Sequence, residues 1–183
     1  MSEQQLQNDA ATPAIAAVCG LYCEACSLYI ANHQDPERLP ALAARWGRPV
    51  EELRCDGCRA ETRSFYCQTC TLFTCAAQKG HTFCHECADY PCGELDDFRK
   101  LAPHRAEIYE SLQRNSEVGV DAWLQEARQR YTCPACGTLN SAYDLKCYQC
   151  GHEPTSDYVT AHMQEILERL TEMQRAATKA DAG

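Results

Sequence analysis

Fifteen cysteines constrain this chain more than any other feature, because their spacing is that of thiolate pairs that hold metal. Cys133-Pro-Ala-Cys136-Gly and Cys147-Tyr-Gln-Cys150-Gly are two copies of one knuckle, with ten residues between Cys136 and Cys147. In such a turn both sulfurs point to one side, and the glycine permits tight backbone geometry. Two knuckles complete a tetrahedron. Four thiolates at about 2.3 Å saturate a zinc ion and leave no position for water or substrate, so the expectation is a structural C-terminal zinc ribbon. Iron in a rubredoxin-like site uses the same geometry and is the alternative metal there.

The other eleven cysteines are Cys19, Cys23, Cys26, Cys55, Cys58, Cys67, Cys70, Cys75, Cys84, Cys87 and Cys92, and four of their intervals are Cys-x-x-Cys. All fifteen are read as metal ligands. Grouping by nearness in sequence puts Cys55 and Cys58 with Cys67 and Cys70, and Cys75, Cys84 and Cys87 with Cys92. That leaves Cys19, Cys23 and Cys26, whose three-then-two spacing is the one by which radical enzymes using S-adenosylmethionine hold a four-iron cluster. No strand and helix alternation of barrel size follows them. The open readings are a third zinc site, completed by His81, His85 or a cysteine from another group, and an iron–sulfur cluster. His81 and His85 flank Cys84, where a histidine also serves as hydrogen-bond donor behind the ligands. His33, His104, His152 and His162 have no cysteine close in sequence and read as surface or packing residues.

Composition supports metal over a conventional core. Leu, Ile, Val and Phe total 28 of 183 residues, below the level at which apolar burial alone normally folds a chain. A structural zinc ion supplies on the order of 10 kcal/mol of folding free energy. Disulfides are the rival use of so many thiols, and they belong to secreted chains. The start, MSEQQLQNDAATPAIAA, is polar and acidic with no basic or long apolar segment, so a cytoplasmic protein with reduced thiols is expected. No run approaches the ~20 apolar residues that span a bilayer. The net charge of −9 disfavours phosphate backbones and anionic membranes as partners.

The expected architecture is small, metal-stabilised and mainly α, with irregular cysteine-rich loops, a C-terminal zinc-ribbon hairpin and a terminal helix. Its segments are a disordered leader (1–14), a cysteine-rich metal-binding domain (15–102), a helical connector (103–131), the ribbon (132–153) and a helix over 156–180. Within the second segment, helices are expected at Ser27–Asn32 and at Pro36–Trp46, closed by Gly47, while Arg54–Tyr90 reads as irregular. Further helices are expected at Pro91–Leu101, Pro103–Arg114 and Val120–Arg130, the last with an apolar stripe of Val120, Trp123, Leu124 and Ala127. In the terminal helix, Ser156 or Asp157 caps, and Val159, Met163, Ile166, Leu170 and Met173 form a seam over two heptads. That seam packs on the protein's own helices or supports self-association.

Several fragments together resemble a family of cysteine-rich proteins known as domain of unknown function 3795. They are CGLYCEAC with the following SLYIA, then CDGCR, YCQTCTLFTCAAQKG and FCHECADYPCGELDDF, spanning Cys19 to Phe98. GVDAWLQEARQRYTCPACG resembles members that carry an appended ribbon. The resemblance implies a cytosolic metal-binding protein without an assigned activity, and marks the eleven N-terminal cysteines with Gly20, Gly57, Gly80 and Pro91 as pattern positions.

The function expected is a zinc-binding protein of about three ions whose tetrathiolate sites are structural, acting as a protein-interaction or accessory module. The alternatives are an iron–sulfur protein for electron transfer or assistance to a redox enzyme, and metal trafficking or thiol sensing. The partner is expected to be another protein, not nucleic acid or membrane. No His-Glu-x-x-His and no glycine-rich phosphate loop occurs, and no base is evident to activate a thiol, so no catalytic residue is assigned.

Overall fold

The computed structural model describes residues 12–180, so most of the expected disordered leader, residues 1–11, lies outside the described residues. Among the described residues there are eight α-helices: α1 (Ser27–His33), α2 (Arg38–Trp46), α3 (Phe65–Gln68), α4 (Thr71–Lys79), α5 (Gly93–Lys100), α6 (Ile108–Val118), α7 (Val120–Tyr131) and α8 (Asp157–Ala180), the last kinked at His162, whose φ of −116° and ψ of 18° are not helical. Short 3-10 turns stand at Cys23–Ala25, Val50–Leu53, Cys84–Glu86 and Pro103–Arg105. No described helix is long and apolar enough to cross a membrane.

The apolar side chains, few as they are, gather into three clusters. In the largest, Ala16, Ala17, Val18 and Cys19 lie against Leu72 and Ala76 of α4, Phe83, Leu95 of α5, Ile108 and Leu112 of α6, and Trp123 of α7. A second joins Leu28 and Ala31 of α1 to Leu39 and Ala43 of α2, with Leu53 and Cys55. The third sets Tyr22 and Ala25 against Leu139, so the C-terminal knuckles pack directly on the Cys23–Ala25 turn. The stripe on α7 is core, as its spacing implies: Trp123 is buried with Val120 and Leu124 in the largest cluster, and Ala127 packs with Leu124 on the cluster of Tyr22, Ala25 and Leu139. On α8, Val159 and Ile166 are fully buried, and the Ser156 hydroxyl accepts from the Val159 amide at 3.4 Å as a first-turn cap.

A polar relay fixes the segment that carries Cys19. The Trp123 Nε1–H donates to Ser111 Oγ at 2.8 Å, and Ser111 donates to the Gly20 carbonyl at 2.6 Å. Ser111→Ala strands both the indole N–H and the carbonyl. The cost expected is about 1–3 kcal/mol, measurable as a lower urea midpoint.

Two expectations need correction. Arg54–Tyr90 is not irregular throughout, because α4 crosses it, with Leu72 and Ala76 four residues apart on its buried face. The ribbon hairpin is also not formed: no strand occurs among the described residues, and a single antiparallel bridge pairs Thr132 with Leu139. The chain between the knuckles satisfies its polar groups locally. Ser141 N–H donates to Asp144 Oδ2 at 2.9 Å, Asp144 N–H returns to the Ser141 carbonyl at 3.1 Å, and the Asn140 side chain donates to the Thr138 carbonyl at 2.8 Å. A turn so closed leaves no partners for a ladder.

Candidate metal centre

The two knuckles are near copies in their backbone hydrogen bonds. Gly137 N–H donates to the Cys133 carbonyl at 2.9 Å and Gly151 N–H to the Cys147 carbonyl at 2.8 Å. Cys133 N–H reaches Thr138 O at 2.8 Å, and Cys147 N–H reaches His152 O at 2.9 Å. Gly137 and Gly151 both have φ of 76°, which L side chains rarely adopt, so the glycine after each second cysteine is a geometric requirement.

This repetition brings Cys133, Cys136, Cys147 and Cys150 together with all four sulfurs within 4.8 Å of one another. Cys133 Sγ lies 3.7 Å from Cys150 Sγ, and Cys136 Sγ 3.6 Å from Cys147 Sγ. Tetrahedral bonds of about 2.3 Å from zinc to sulfur require edges of about 3.8 Å, so the residues fit a metal ion. Among the described residues it is the one group of three or more potential ligands drawn so close.

The surroundings favour charge on these sulfurs. The Thr138 side chain, 3.3 Å from Cys136 Sγ, and then the Thr138 amide lower the Cys136 thiol to about 6. Burial opposes ionisation of Cys147, but the amides of Cys150 and Gln149 and the Asn140 side chain, 3.6 Å away, outweigh it and lower that thiol. At Cys150 the His152 amide favours the thiolate, yet hydrogen bonding from Cys136, burial and the other thiols push it up to about 12. Four thiolates cannot stand together without a cation among them. Asn140 and Thr138 were not identifiable from spacing, since polar residues in a loop carry no ligand signature.

The centre is anchored to the N-terminal half. Arg38 on α2 forks onto both Asp144 oxygens at 3.1 and 3.0 Å and stands over the Tyr148 ring at 5.1 Å. Leu139 packs on Tyr22 and Ala25. His104 Nδ1 bonds the Tyr143 hydroxyl at 2.9 Å, while Arg105 donates to its Nε2 at 3.2 Å, which makes Nε2 the unprotonated nitrogen. Burial, then Arg105 and Arg169, push His104 down to about 3. A folded value below the unfolded 6.5 means that the stability is complete above pH 6.5 and is lost as pH falls toward 3. Between pH 7 and pH 5, His104 therefore accounts for about 2 kcal/mol of lost stability. His104→Asn should flatten that part of the pH profile of the urea midpoint.

Seven of the eleven other cysteines lie in or beside the two N-terminal clusters. Cys19 is buried with Cys23, Cys58, Cys70, Cys84 and Cys92 packed against the same core, whereas Cys55 is buried with Leu28, Ala31, Leu39 and Leu53. Burial is the main cause raising the thiols of Cys19 and Cys23, with Cys58 the strongest neighbour of each. Burial also pushes Cys84 up to about 12, followed by Cys92, Cys75, Cys70 and Cys87. Lys79 Nζ donates to Cys87 Sγ at 3.2 Å and to Asp89 at 2.8 Å. His85 stacks on Phe83, and its Nε2 is buried without a hydrogen-bond partner.

A helical, cysteine-rich body with a tetrathiolate group fitted to one metal ion is the class that fold and site define. Residues 15–97 are similar to the family described as protein of unknown function DUF3795. No curated protein and no solved structure matches the chain.

Proposed function

We propose that the protein is a zinc-stabilised accessory module, in which Cys133, Cys136, Cys147 and Cys150 hold a structural zinc ion and the N-terminal cysteines hold further ions in place of a larger apolar core. The observation that carries this reading is the closed set of four sulfurs at tetrahedral spacing. A saturated tetrathiolate zinc has no open position for chemistry, so its contribution is to shape. What it shapes is the docking of Leu139 and Asp144 onto the first half of the chain, and through it the exposed surface offered to a partner protein.

Backbone amides support metal at the N-terminal cysteines as well. The amides of Leu21, Cys58, Val18, Leu28 and Ser64 favour the thiolate forms of Cys19, Cys23, Cys58, Cys26 and Cys55 in turn, against burial. A neutral thiol accepts hydrogen bonds weakly, so such donors gain most from thiolates, which burial tolerates only beside a cation.

Cobalt substitution tests the reading. Cobalt(II) replacing the native ions should give the intense visible bands of tetrahedral thiolate coordination, and Cys133→Ser/Cys147→Ser should remove about one equivalent of that signal. A weak octahedral spectrum from wild-type protein would overturn it.

A further inference from the structure

We infer that Trp46, Phe65 and Tyr66 form a docking surface for an acidic segment of a partner protein, in which the Tyr66 hydroxyl, backed by the buried guanidinium of Arg105, takes a carboxylate. This rests on the accessory-module reading above and deepens it by placing the partner surface.

The surface is marked by a buried cation without an anion. Arg105 is 5 % exposed. Its partners are all neutral: it donates to the Phe98 carbonyl at 3.0 Å, to His104 Nε2 at 3.2 Å and to the Tyr66 hydroxyl at 2.6 Å, and it stands 3.7 Å from the centre of the Phe98 ring. No carboxylate pairs with it among the described residues. A buried charge is costly unless an opposite charge answers it. Of these partners Tyr66 is the exposed one, at 47 %. Its oxygen accepts from Arg105, so its own proton remains to be donated, and no acceptor for that proton stands among the described residues. Each bond in such a chain polarises the next, so a hydroxyl that accepts from a cation is a stronger donor. A carboxylate at the surface completes the chain that Arg105 begins.

The neighbouring rings supply the apolar half of the surface. Phe65 meets Tyr66 edge-on at 6.4 Å and Trp46 edge-on at 5.7 Å. Single exposed aromatic residues are ordinary. Here Trp46, 40 % exposed, and Tyr66 are joined into one strip through Phe65, which packs on the cluster of Leu28, Leu39 and Leu53. Trp, Tyr and Arg are the side chains that dominate binding energy at protein interfaces.

Charge selects the occupant. Arg48 stands over the Phe65 ring at 4.1 Å and pairs with Glu52 at 2.7 Å. Arg45, next to Trp46 in the chain, is exposed and has no ion pair among the described residues. Arg45, Arg48 and Arg105 thus outweigh Glu51 and Glu52 of the adjoining turn, in a chain whose net charge is −9. A cationic, aromatic strip complements a segment that sets a carboxylate beside a large apolar side chain. The acidity of the whole chain disfavours a phosphate backbone in the same place.

The test uses the full-length zinc-loaded chain, its metal content measured on the same sample, and a displayed library of random short peptides as the probe. The result expected is an enriched family that sets Asp or Glu beside Leu, Phe or Trp. Tyr66→Phe keeps the ring and removes only the hydroxyl, and it should weaken these peptides about tenfold, as should replacing their acids by Asn or Gln. Trp46→Ala should weaken them by about as much, and Leu167→Ala, at an exposed leucine on α8, should leave them unchanged. No enriched family, a family without acidic residues, or acidic peptides that bind Tyr66→Phe as tightly as wild type would each overturn the inference and leave the zinc reading intact. Binding of labelled oligothymidine, or a dimer in sedimentation, that Tyr66→Phe abolishes would give the strip to nucleic acid or to a second copy and overturn it equally. A chain that carried no metal yet selected the acidic peptides would overturn the zinc reading and keep the surface.

Discussion

Removing the ion from Cys133, Cys136, Cys147 and Cys150 is expected to unfold residues 132–153 and detach them from the Cys23–Ala25 turn. Apart from metal, the segment is held by the Arg38–Asp144 pair, the His104–Tyr143 bond and a little apolar packing. Leu139 is its one large aliphatic side chain in the core, and the backbone offers a single bridge in place of a hairpin ladder. Burying one leucine contributes about 2–3 kcal/mol, against on the order of 10 kcal/mol from a structural zinc. Cys147, 2 % exposed and bonded by Asn140, cannot be left unpaired cheaply. Cys147→Ser should therefore lose one metal ion per chain and become open to limited proteolysis between Tyr131 and Ser156. Chelator added to the reduced wild-type protein should do the same, and a chelated chain that stayed protease-resistant would refute the prediction.

The second large effect is expected at Gly57. Its φ of 123° lies where L residues are rare, and an added Cβ would come within 2.7 Å of the Ala14 carbonyl carbon and 3.2 Å of the Ile15 nitrogen. Both are backbone atoms of the segment that leads into Cys19, so relief requires moving that segment, which in turn carries the partners of Cys23 and Arg59. Gly57→Ala should cost about 3 kcal/mol or more, combining backbone strain with displacement of packed main chain. Gly80→Ala is the control. Gly80 has φ of 72° and nothing within 4 Å of its would-be Cβ, so the cost there should be about 1 kcal/mol. Urea midpoints of the two variants measure the difference.

Much of this was legible in the sequence because it is local. The repeated Cys-x-x-Cys-Gly fixes each knuckle through bonds spanning five residues, and the apolar spacing of Val120, Trp123, Leu124 and Ala127 fixes the buried face of α7. Helix α4 is also locally encoded, by Leu72, Ala76 and the Gly80 that follows, within a stretch whose cysteine density masks the short apolar period. The hairpin failed for a reason that composition hides: Asn140, Ser141 and Asp144 turn the chain back on itself before strands can pair, and Arg38 holds that turn from far away in the chain. Which cysteines share surroundings was not legible either. Cys55 and Cys58 have only two residues between them yet belong to different clusters, because Gly57 turns against Ala14, a contact between segments that no spacing rule reports.

The most direct measurement of the central claim is elemental analysis with a visible spectrum on protein purified without oxygen. The account predicts a colourless chain carrying about three zinc ions, with thiols that resist alkylation until chelator is added. Iron with acid-labile sulfide and a brown colour, or fifteen freely alkylated thiols and no metal, would contradict it.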